Sequence, residues 1–203
     1  MELPEREFWE RGLPVAGLDE AGRGPLAGPV VVACVVFPPG TEPFLDKDSK
    51  KLSPAERALL FEKIVKRALF VGVSFATPRE VEAFNVYRAT KRAYARALRA
   101  VPFKLGAAFT DFMPLENFPF PVISEAKADE RVFSVAAASV VAKVVRDRIM
   151  ELYAKRHPGY GFEKHKGYPT REHLEALSRL GPSEIHRTSY GPVKRLFDRK
   201  GED

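Results

Sequence analysis

Asp19 and Glu20 stand side by side directly after the apolar run Val15-Ala16-Gly17-Leu18, and two further aspartates, Asp111 and Asp129, recur in comparable settings. Asp111 closes the small-residue run at 106–110, and Asp129 lies in Lys127-Ala128-Asp129-Glu130-Arg131, just after a second short apolar run at 120–125. Short apolar runs bounded by turn residues predict strands, so Asp19 and Asp111 are expected at strand ends. Neighbouring strands lie about 4.8 Å apart. Carboxylates at adjacent strand ends can therefore converge, and their like charges repel unless cations lie between them. Ligands made only of oxygen, with no Cys or His cluster, favour Mg²⁺ or Mn²⁺ over zinc. Two such ions, about 3.5–4 Å apart, would activate water and stabilise the leaving oxygen in phosphodiester hydrolysis. Any single one of these aspartates reads more readily as a turn or cap residue; the set, taken with a glycine-rich neighbour, reads as a site. Because Asp19 and Glu20 are adjacent, an extended strand would send their side chains to opposite faces. Either the strand bends there, or Glu20 contributes through its backbone carbonyl or a bound water, which leaves Asp19 as the expected bridging ligand.

The glycine-rich neighbour is Gly22-Arg23-Gly24, set between the carboxylate pair and the almost wholly apolar stretch from Val30 to Phe37. A turn of this kind beside acidic residues suggests phosphate as well as metal. The formal charge of +6 agrees with a nucleic-acid partner bound through counterion release, although charge alone leaves other partners open. The longest helical pattern, 134–155, places Val141, Val145, Ile149 and Leu152 on one face and Ser139, Lys143 and Arg146 roughly opposite. An amphipathic helix with a solvated side explains these three polar residues as well as phosphate binding does. The four histidines, His157, His165, His173 and His186, show no metal-ligand spacing.

The elements that must position these groups follow from local pattern. Two hundred and three residues suffice for a full core in one α/β domain, with an α/β part at about 15–156 and a helical C-terminal extension at about 157–203. Ser53-Pro54 with Glu56 predicts a capped helix to about residue 68. A third strand is expected at 70–76, a short helix after Thr77-Pro78, a basic helix at 87–99, and a further helix at 171–180 after His165-Lys166-Gly167-Tyr168-Pro169-Thr170. The lone Cys34 reads as a buried small hydrophobe, which suits a reducing compartment. No apolar run approaches the roughly 20 residues of a membrane span. A cytoplasmic, monomeric protein without membrane contact is the expectation. The absence of glutamine, only two asparagines and many prolines lean toward a heat-tolerant source.

Five segments in order, GLDEAGRGPLAGPVVVA, DSKKLS, AAASVVAKVVRD, HKGYPT and HRTSYGPVK, resemble the bacterial type 2 ribonuclease H (ribonuclease HII) family from about Val15 to Leu196. The resemblance implies a ribonuclease H-like fold, a mixed five-stranded sheet flanked by helices with a helical C-terminal part. It also implies endonucleolytic cleavage of RNA in RNA–DNA hybrids and of single ribonucleotides embedded in duplex DNA. The cut would fall 5′ of the ribonucleotide, leaving 3′-hydroxyl and 5′-phosphate ends. By motif, Asp19, Glu20, Asp111 and Asp129 match the family's acidic residues, Gly22-Arg23-Gly24 its substrate-reading turn, and Tyr168 its tyrosine, placed to stack on the following sugar. Ser49, Lys50, Lys51, Ser139, Lys143 and Arg146 would hold phosphates, contacts that position a duplex without reading its sequence. Glycines allow close backbone approach, and the 2′-hydroxyl is the group that separates RNA from DNA.

Two positions depart from the family pattern. Phe112 follows Asp111 where glycine is usual, and Ala128 precedes Asp129 where glycine is usual, so both bear on local backbone geometry and metal spacing. The type 3 sibling family carries an extra N-terminal substrate-binding domain. Here the first motif begins by residue 15, and the Gly-Arg-Gly turn with its tyrosine favours type 2. Two other readings stay open. A two-metal DNA nuclease or resolvase on the same fold would cut all-DNA substrates. A non-catalytic nucleic-acid binder would tolerate Asp129→Asn.

Overall fold

Strand β1 (Val15–Ala21) forms an antiparallel pair with β2 (Val30–Val36), and β3 (Phe70–Ala76) adds antiparallel to β2. On the other side of β1, β4 (Ala107–Asp111) and then β5 (Val122–Glu125) add in parallel. The result is a mixed five-stranded sheet of order β3-β2-β1-β4-β5, as the family resemblance implied. This computed structural model describes residues 3–45 and 52–199. Ser49, Lys50 and Lys51, expected to bind phosphate, lie outside the described residues.

Every residue of β2 is buried because both sheet faces are covered. Ala33, Val35 and Phe37 pack toward the long helix α5 (Phe133–Arg156), and Val30, Val32, Cys34 and Val36 toward α3 (Pro78–Arg99). Helix α3 is two helices in one, hinged at Asn85 (φ 63°, ψ 162°), whose Oδ1 accepts the Arg88 N–H at 3.0 Å and caps the second segment. That hinge divides the expected short helix from the basic one. Helix α2 (Pro54–Arg67) opens on the predicted capping box between Ser53 and Glu56.

Helix α5 departs from its amphipathic expectation. Its first six residues, Phe133 to Ala138, are buried on every side, whereas Leu152 near its far end is 59% exposed. The helix lies across β1 and β2 and is itself covered by α2 and by the short α4 (Ala128–Arg131), so no solvated face exists there. Gly17 allows this approach: a Cβ at that position would sit 2.1 Å from the Ser134 carbonyl carbon. The start of α5 is capped from afar. Glu5, just before the N-terminal turn α1 (Arg6–Trp9), is fully buried and its Oε1 accepts the Ser134 N–H at 2.9 Å and the Ser134 hydroxyl at 3.0 Å.

The C-terminal helices α6 (Phe162–His165), α7 (Arg171–Leu180) and α8 (Gly191–Arg199) close over the loop between β1 and β2. Leu26 N–H donates to the Gly167 carbonyl at 2.8 Å and Gly28 N–H to the Ile185 carbonyl at 2.9 Å. No helix among the described residues is long and apolar enough to cross a membrane.

Candidate active site

Asp19 and Asp111 come together where β1 and β4 part. Strand β1 runs two residues past Asp19, to Ala21, so Asp19 lies within the strand instead of ending it. The reason is β2, which pairs with β1 as far as Ala21↔Val31. On the β4 side, pairing stops at Leu18↔Thr110, and the next positions along are Asp19 and Asp111. The register thus delivers two aspartates from parallel neighbours to one place.

Asp19 turns toward α5. Its side chain bonds to Ser139 and its Oδ1 accepts the Glu20 N–H at 2.7 Å. Burial, then the charges of Glu20 and Asp111, hold its carboxyl well above the usual range. Glu20 turns toward the opposite face, as alternation along an extended strand requires. It accepts the Tyr94 hydroxyl of α3 and faces the Arg23 guanidinium at 3.4 Å. Burial raises Glu20 as well, against those two donors and with the help of Asp111. The Tyr94 phenol is in turn pushed well above its ordinary value by burial and by the charges of Glu20, Asp19 and Asp111. Asp111 Oδ1 accepts the Ala128 N–H at 3.2 Å, which docks the start of α4 on the end of β4 and brings Asp129, 3% exposed, beside it.

The two departures from the family pattern resolve differently. Phe112 adopts φ 51°, the left-handed conformation that glycine takes easily. At the second position the left-handed residue is Lys127 (φ 59°), and Ala128 itself opens α4 as an ordinary helical residue.

Gly22 and Gly24 line the other side of the carboxylates. Gly22 has φ 99° and lies against the Arg146 side chain. Arg146 was expected to face phosphate, but it is 1% exposed and bonded inward, Nε to the Pro29 carbonyl at 3.1 Å and a terminal nitrogen to the Ala27 carbonyl at 3.2 Å. Burial and the neighbouring Arg187 lower it to about 10. Arg146 supports the turn from below and is withdrawn from the phosphate set. Its guanidinium lies 5.7 Å from the Tyr168 ring centre, and Tyr168, 42% exposed, reaches over Gly24. A cleft of about 240 Å³ is lined by Glu20, Gly22, Arg57, Ser139, Lys143 and Tyr168 among others. Lys143 is half-exposed there and paired with Asp147 at 2.8 Å. Larger surface grooves, of about 730 Å³ beside Arg148–Pro158 and about 470 Å³ along α3, include none of the four carboxylates.

Three contributors were not named from the sequence. Arg57 joins the cleft from α2, and Tyr94 holds Glu20. Arg187, fully buried, donates to the carbonyls of Gly22 (2.7 Å), Arg23 (2.9 Å) and Gly28 (2.7 Å). Its place in the family-like segment HRTSYGPVK was the available signal. His165, His173 and His186 form a buried hub beneath Tyr168. Ser183 N–H donates to His186 Nδ1 at 2.9 Å, His186 Nε2 meets His173 Nε2 at 3.1 Å, and His173 Nδ1 reaches the Tyr168 carbonyl at 2.9 Å. This chain closes only with both rings neutral, and burial lowers both, His186 to about 4.

Among the described residues no group of three or more His, Cys, Asp or Glu side chains is gathered as a ready metal cage. Asp19, Glu20 and Asp111 are each turned to a protein donor. The donor chemistry still fits a hard divalent cation. It is carboxylate oxygen only, and Asp19 and Glu20 are both raised by burial and neighbouring negative charge.

A mixed five-stranded sheet of this order, covered by helices on both faces, is a ribonuclease H-like fold. The sequence model of the ribonuclease HII family matches residues 16–193. Ribonuclease HII of Thermus thermophilus is 52% identical over 189 residues, covering 93% of this chain and 92% of the relative. Ribonuclease HII of Aquifex aeolicus is 46% identical over 192 residues, covering 94% and 96%. The crystal structure of ribonuclease H2 from Pyrococcus horikoshii OT3 superposes with a TM-score of 0.79 at 27% identity, over 94% of this chain and all of that one. The Mn²⁺ complex of Bst-RNase HIII shares the fold at TM-score 0.72 and 18% identity, over 95% and 71%. The chain belongs to the ribonuclease HII family and is a ribonuclease H.

Proposed function

We propose that Asp19, Glu20, Asp111 and Asp129 carry the hydrolysis of RNA in RNA–DNA hybrids and 5′ of single ribonucleotides in duplex DNA. The products are 3′-hydroxyl and 5′-phosphate ends. The observation that carries this reading is the register that sets Asp19 beside Asp111 next to a glycine turn covered by Tyr168. Asp19, Glu20, Asp111 and Asp129 would hold two Mg²⁺ or Mn²⁺ ions, which supply water activation and charge stabilisation at the leaving oxygen. Glu20, turned to Tyr94, contributes through its backbone or by leaving that hydroxyl. Gly22, Arg23 and Gly24 offer backbone groups to the ribose 2′-hydroxyl, held rigid from beneath by Arg146 and Arg187. Tyr168 packs on the next sugar and favours one without a 2′-hydroxyl. Ser139, Lys143 and Arg57 meet the flanking phosphates.

Cleavage of a labelled duplex with one ribonucleotide, with Mg²⁺, Mn²⁺ or EDTA beside an all-DNA duplex, tests the reading. Metal-dependent cutting confined to the 5′ side of the ribonucleotide is the expected result. Cutting of the all-DNA control would replace it with the DNA-nuclease reading. Cutting of long hybrid but not of the lone ribonucleotide would remove the roles of the turn and Tyr168.

A further inference from the structure

The residue after Asp111 is unfavourable in two ways at once. Phe112 sits at φ 51°, where a bulky side chain crowds its own backbone. Its ring is also 70% exposed, so no apolar burial offsets the strain. The backbone around it gives no room to relax. On one side Asp111 pairs with Glu125, and the Phe112 N–H itself donates to the Glu125 carbonyl at 3.0 Å. On the other, Met113 is fully buried and its carbonyl accepts the Thr110 hydroxyl at 2.7 Å. Neighbours therefore impose the left-handed turn, and glycine would fill it without strain. Strain that the surroundings over-determine is a pointer to function when it borders a reactive site.

The position is informative too. Gly22, Gly24 and Tyr168 lie on the β1 side of the aspartates, and Phe112 lies on the β4–β5 side. A strand laid over Asp19 and Asp111 would have Tyr168 along one edge and Phe112 along the other. We propose that Phe112 is a substrate-contacting residue whose ring packs on a sugar face of the strand lying over Asp111, opposite Tyr168. This rests on the ribonucleotide-cleaving function proposed above. Binding would bury a ring that the free protein leaves in water, and the imposed turn fixes its direction beforehand, so little ordering remains to be done. Aromatic contact of this kind is indifferent to base sequence, as cleavage of varied substrates requires.

The intact protein carrying Phe112→Gly, Phe112→Tyr or Phe112→Trp tests it on a duplex with one embedded ribonucleotide. Phe112→Gly should melt a few degrees higher, since the strain is gone, yet raise KM about tenfold while kcat changes little. Phe112→Tyr and Phe112→Trp should keep KM within about twofold of the parent. A purely structural residue would show no such split between stability and KM. Titrating duplex into Phe112→Trp in EDTA gives a readout without turnover: its emission should change, while the parent, whose Trp9 is 8% exposed, serves as the blank. An unchanged KM in Phe112→Gly, or emission indifferent to duplex, overturns the proposal. If the parent protein does not cut at the ribonucleotide, the functional reading fails instead, and the emission titration still decides whether the ring meets nucleic acid.

Discussion

Replacing either glycine of the Gly22-Arg23-Gly24 turn by alanine should have opposite consequences, although both changes add one methyl group two residues apart. At Gly22 the backbone has φ 99° and an added Cβ would lie 2.0 Å from Arg146 Nε and 2.4 Å from its Cδ. The conformation alone costs an L residue about 1–3 kcal/mol. Arg146 cannot step aside freely, because it is buried and bonded to the Ala27 and Pro29 carbonyls. Losing those two charge-assisted bonds costs about 1.5–3 kcal/mol each. Together these come to about 4–9 kcal/mol, against a total stability of about 5–15 kcal/mol. At about 2–4 °C per kcal/mol for a chain of this size, the melting temperature should fall by about 8–36 °C. At Gly24 the φ is ordinary and the nearest atom to an added Cβ is Tyr168 Cε1 at 3.9 Å. Gly24→Ala should therefore melt within about 3 °C of the parent, helped by a stiffer unfolded chain. Its methyl group would stand in the surface that a bound strand must reach, so kcat/KM on the single-ribonucleotide duplex should fall about 10–100-fold. Scanning calorimetry and initial-rate kinetics separate the two effects. A double-mutant cycle with Arg146→Ala adds a check, since Gly22→Ala should cost at least about 2 kcal/mol less once Arg146 is gone. A Gly22→Ala protein that melts like the parent would refute the packing argument. A Gly24→Ala protein that cuts like the parent would refute close approach of substrate at that glycine.

Asp129→Asn should abolish cleavage while duplex affinity, measured by fluorescence anisotropy, stays within about threefold, because the change removes a ligand and lessens repulsion toward phosphate. Retained turnover would remove Asp129 from the acidic set. Arg187→Lys should cost about 2–5 kcal/mol in urea unfolding, since one ammonium cannot serve the Gly22, Arg23 and Gly28 carbonyls that the guanidinium fork serves together. Lysine being tolerated there would mean that water can satisfy those carbonyls. Acid should weaken the fold through His186, which burial, with His173 next, holds down to about 4. An unfolded histidine titrates near 6.5, so the stabilisation is complete above that pH and is lost as pH falls from 6.5 toward 4, by at most about 3 kcal/mol. Asp19 and Glu20, held above the usual carboxylate range, act in the opposite sense over the acid range. The measurement is therefore the difference in unfolding free energy between the parent and His186→Gln at pH 7.5, 6, 5 and 4. A difference that does not change with pH would count against the neutral hub.

What could be read from the chain was what depends on neighbours in sequence. The capping box at Ser53, the strand at 70–76, the division of α3 and the helix at 171–180 are all set by local pattern, and the structure has them there. The opposed faces of Asp19 and Glu20 follow from the two-residue repeat of an extended strand, and the bonds to Ser139 and Tyr94 lie on opposite sides of the sheet accordingly. Helix α5 shows the limit of the same method. Periodicity reports whether a helix has one apolar face, but not whether a second layer covers the other, and here α2 and α4 do so. Arg146 is turned away from phosphate by a different cover, the β1–β2 loop, whose Ala27 and Pro29 carbonyls take its guanidinium.

The residues that escaped reading share one property, a partner very far along the chain. Glu5 caps a helix that begins at Phe133, Tyr94 holds Glu20, and Arg187 ties down the carbonyls of Gly22 and Gly28. Each is a common residue type in an unremarkable setting, and nothing local distinguishes a buried arginine from a surface one. Their roles also bear on how the Gly22-Arg23-Gly24 turn would act as the reading device proposed above. Glycine supplies the backbone shape and lets a substrate approach, but it gives no rigidity of its own. Rigidity comes from Arg187, which ties the Gly22 and Arg23 carbonyls to that of Gly28, from Arg146, which holds the Ala27 and Pro29 carbonyls on either side of Gly28, and from the Leu26 and Gly28 amides bonded to the C-terminal part. The C-terminal part would therefore support the proposed site mechanically: the same segment that brings Tyr168 over Gly24 also bonds the loop just after the turn, at Leu26. Loosening that segment should blur discrimination of the ribonucleotide before it displaces Asp19, Glu20 and Asp111, which stand on the sheet.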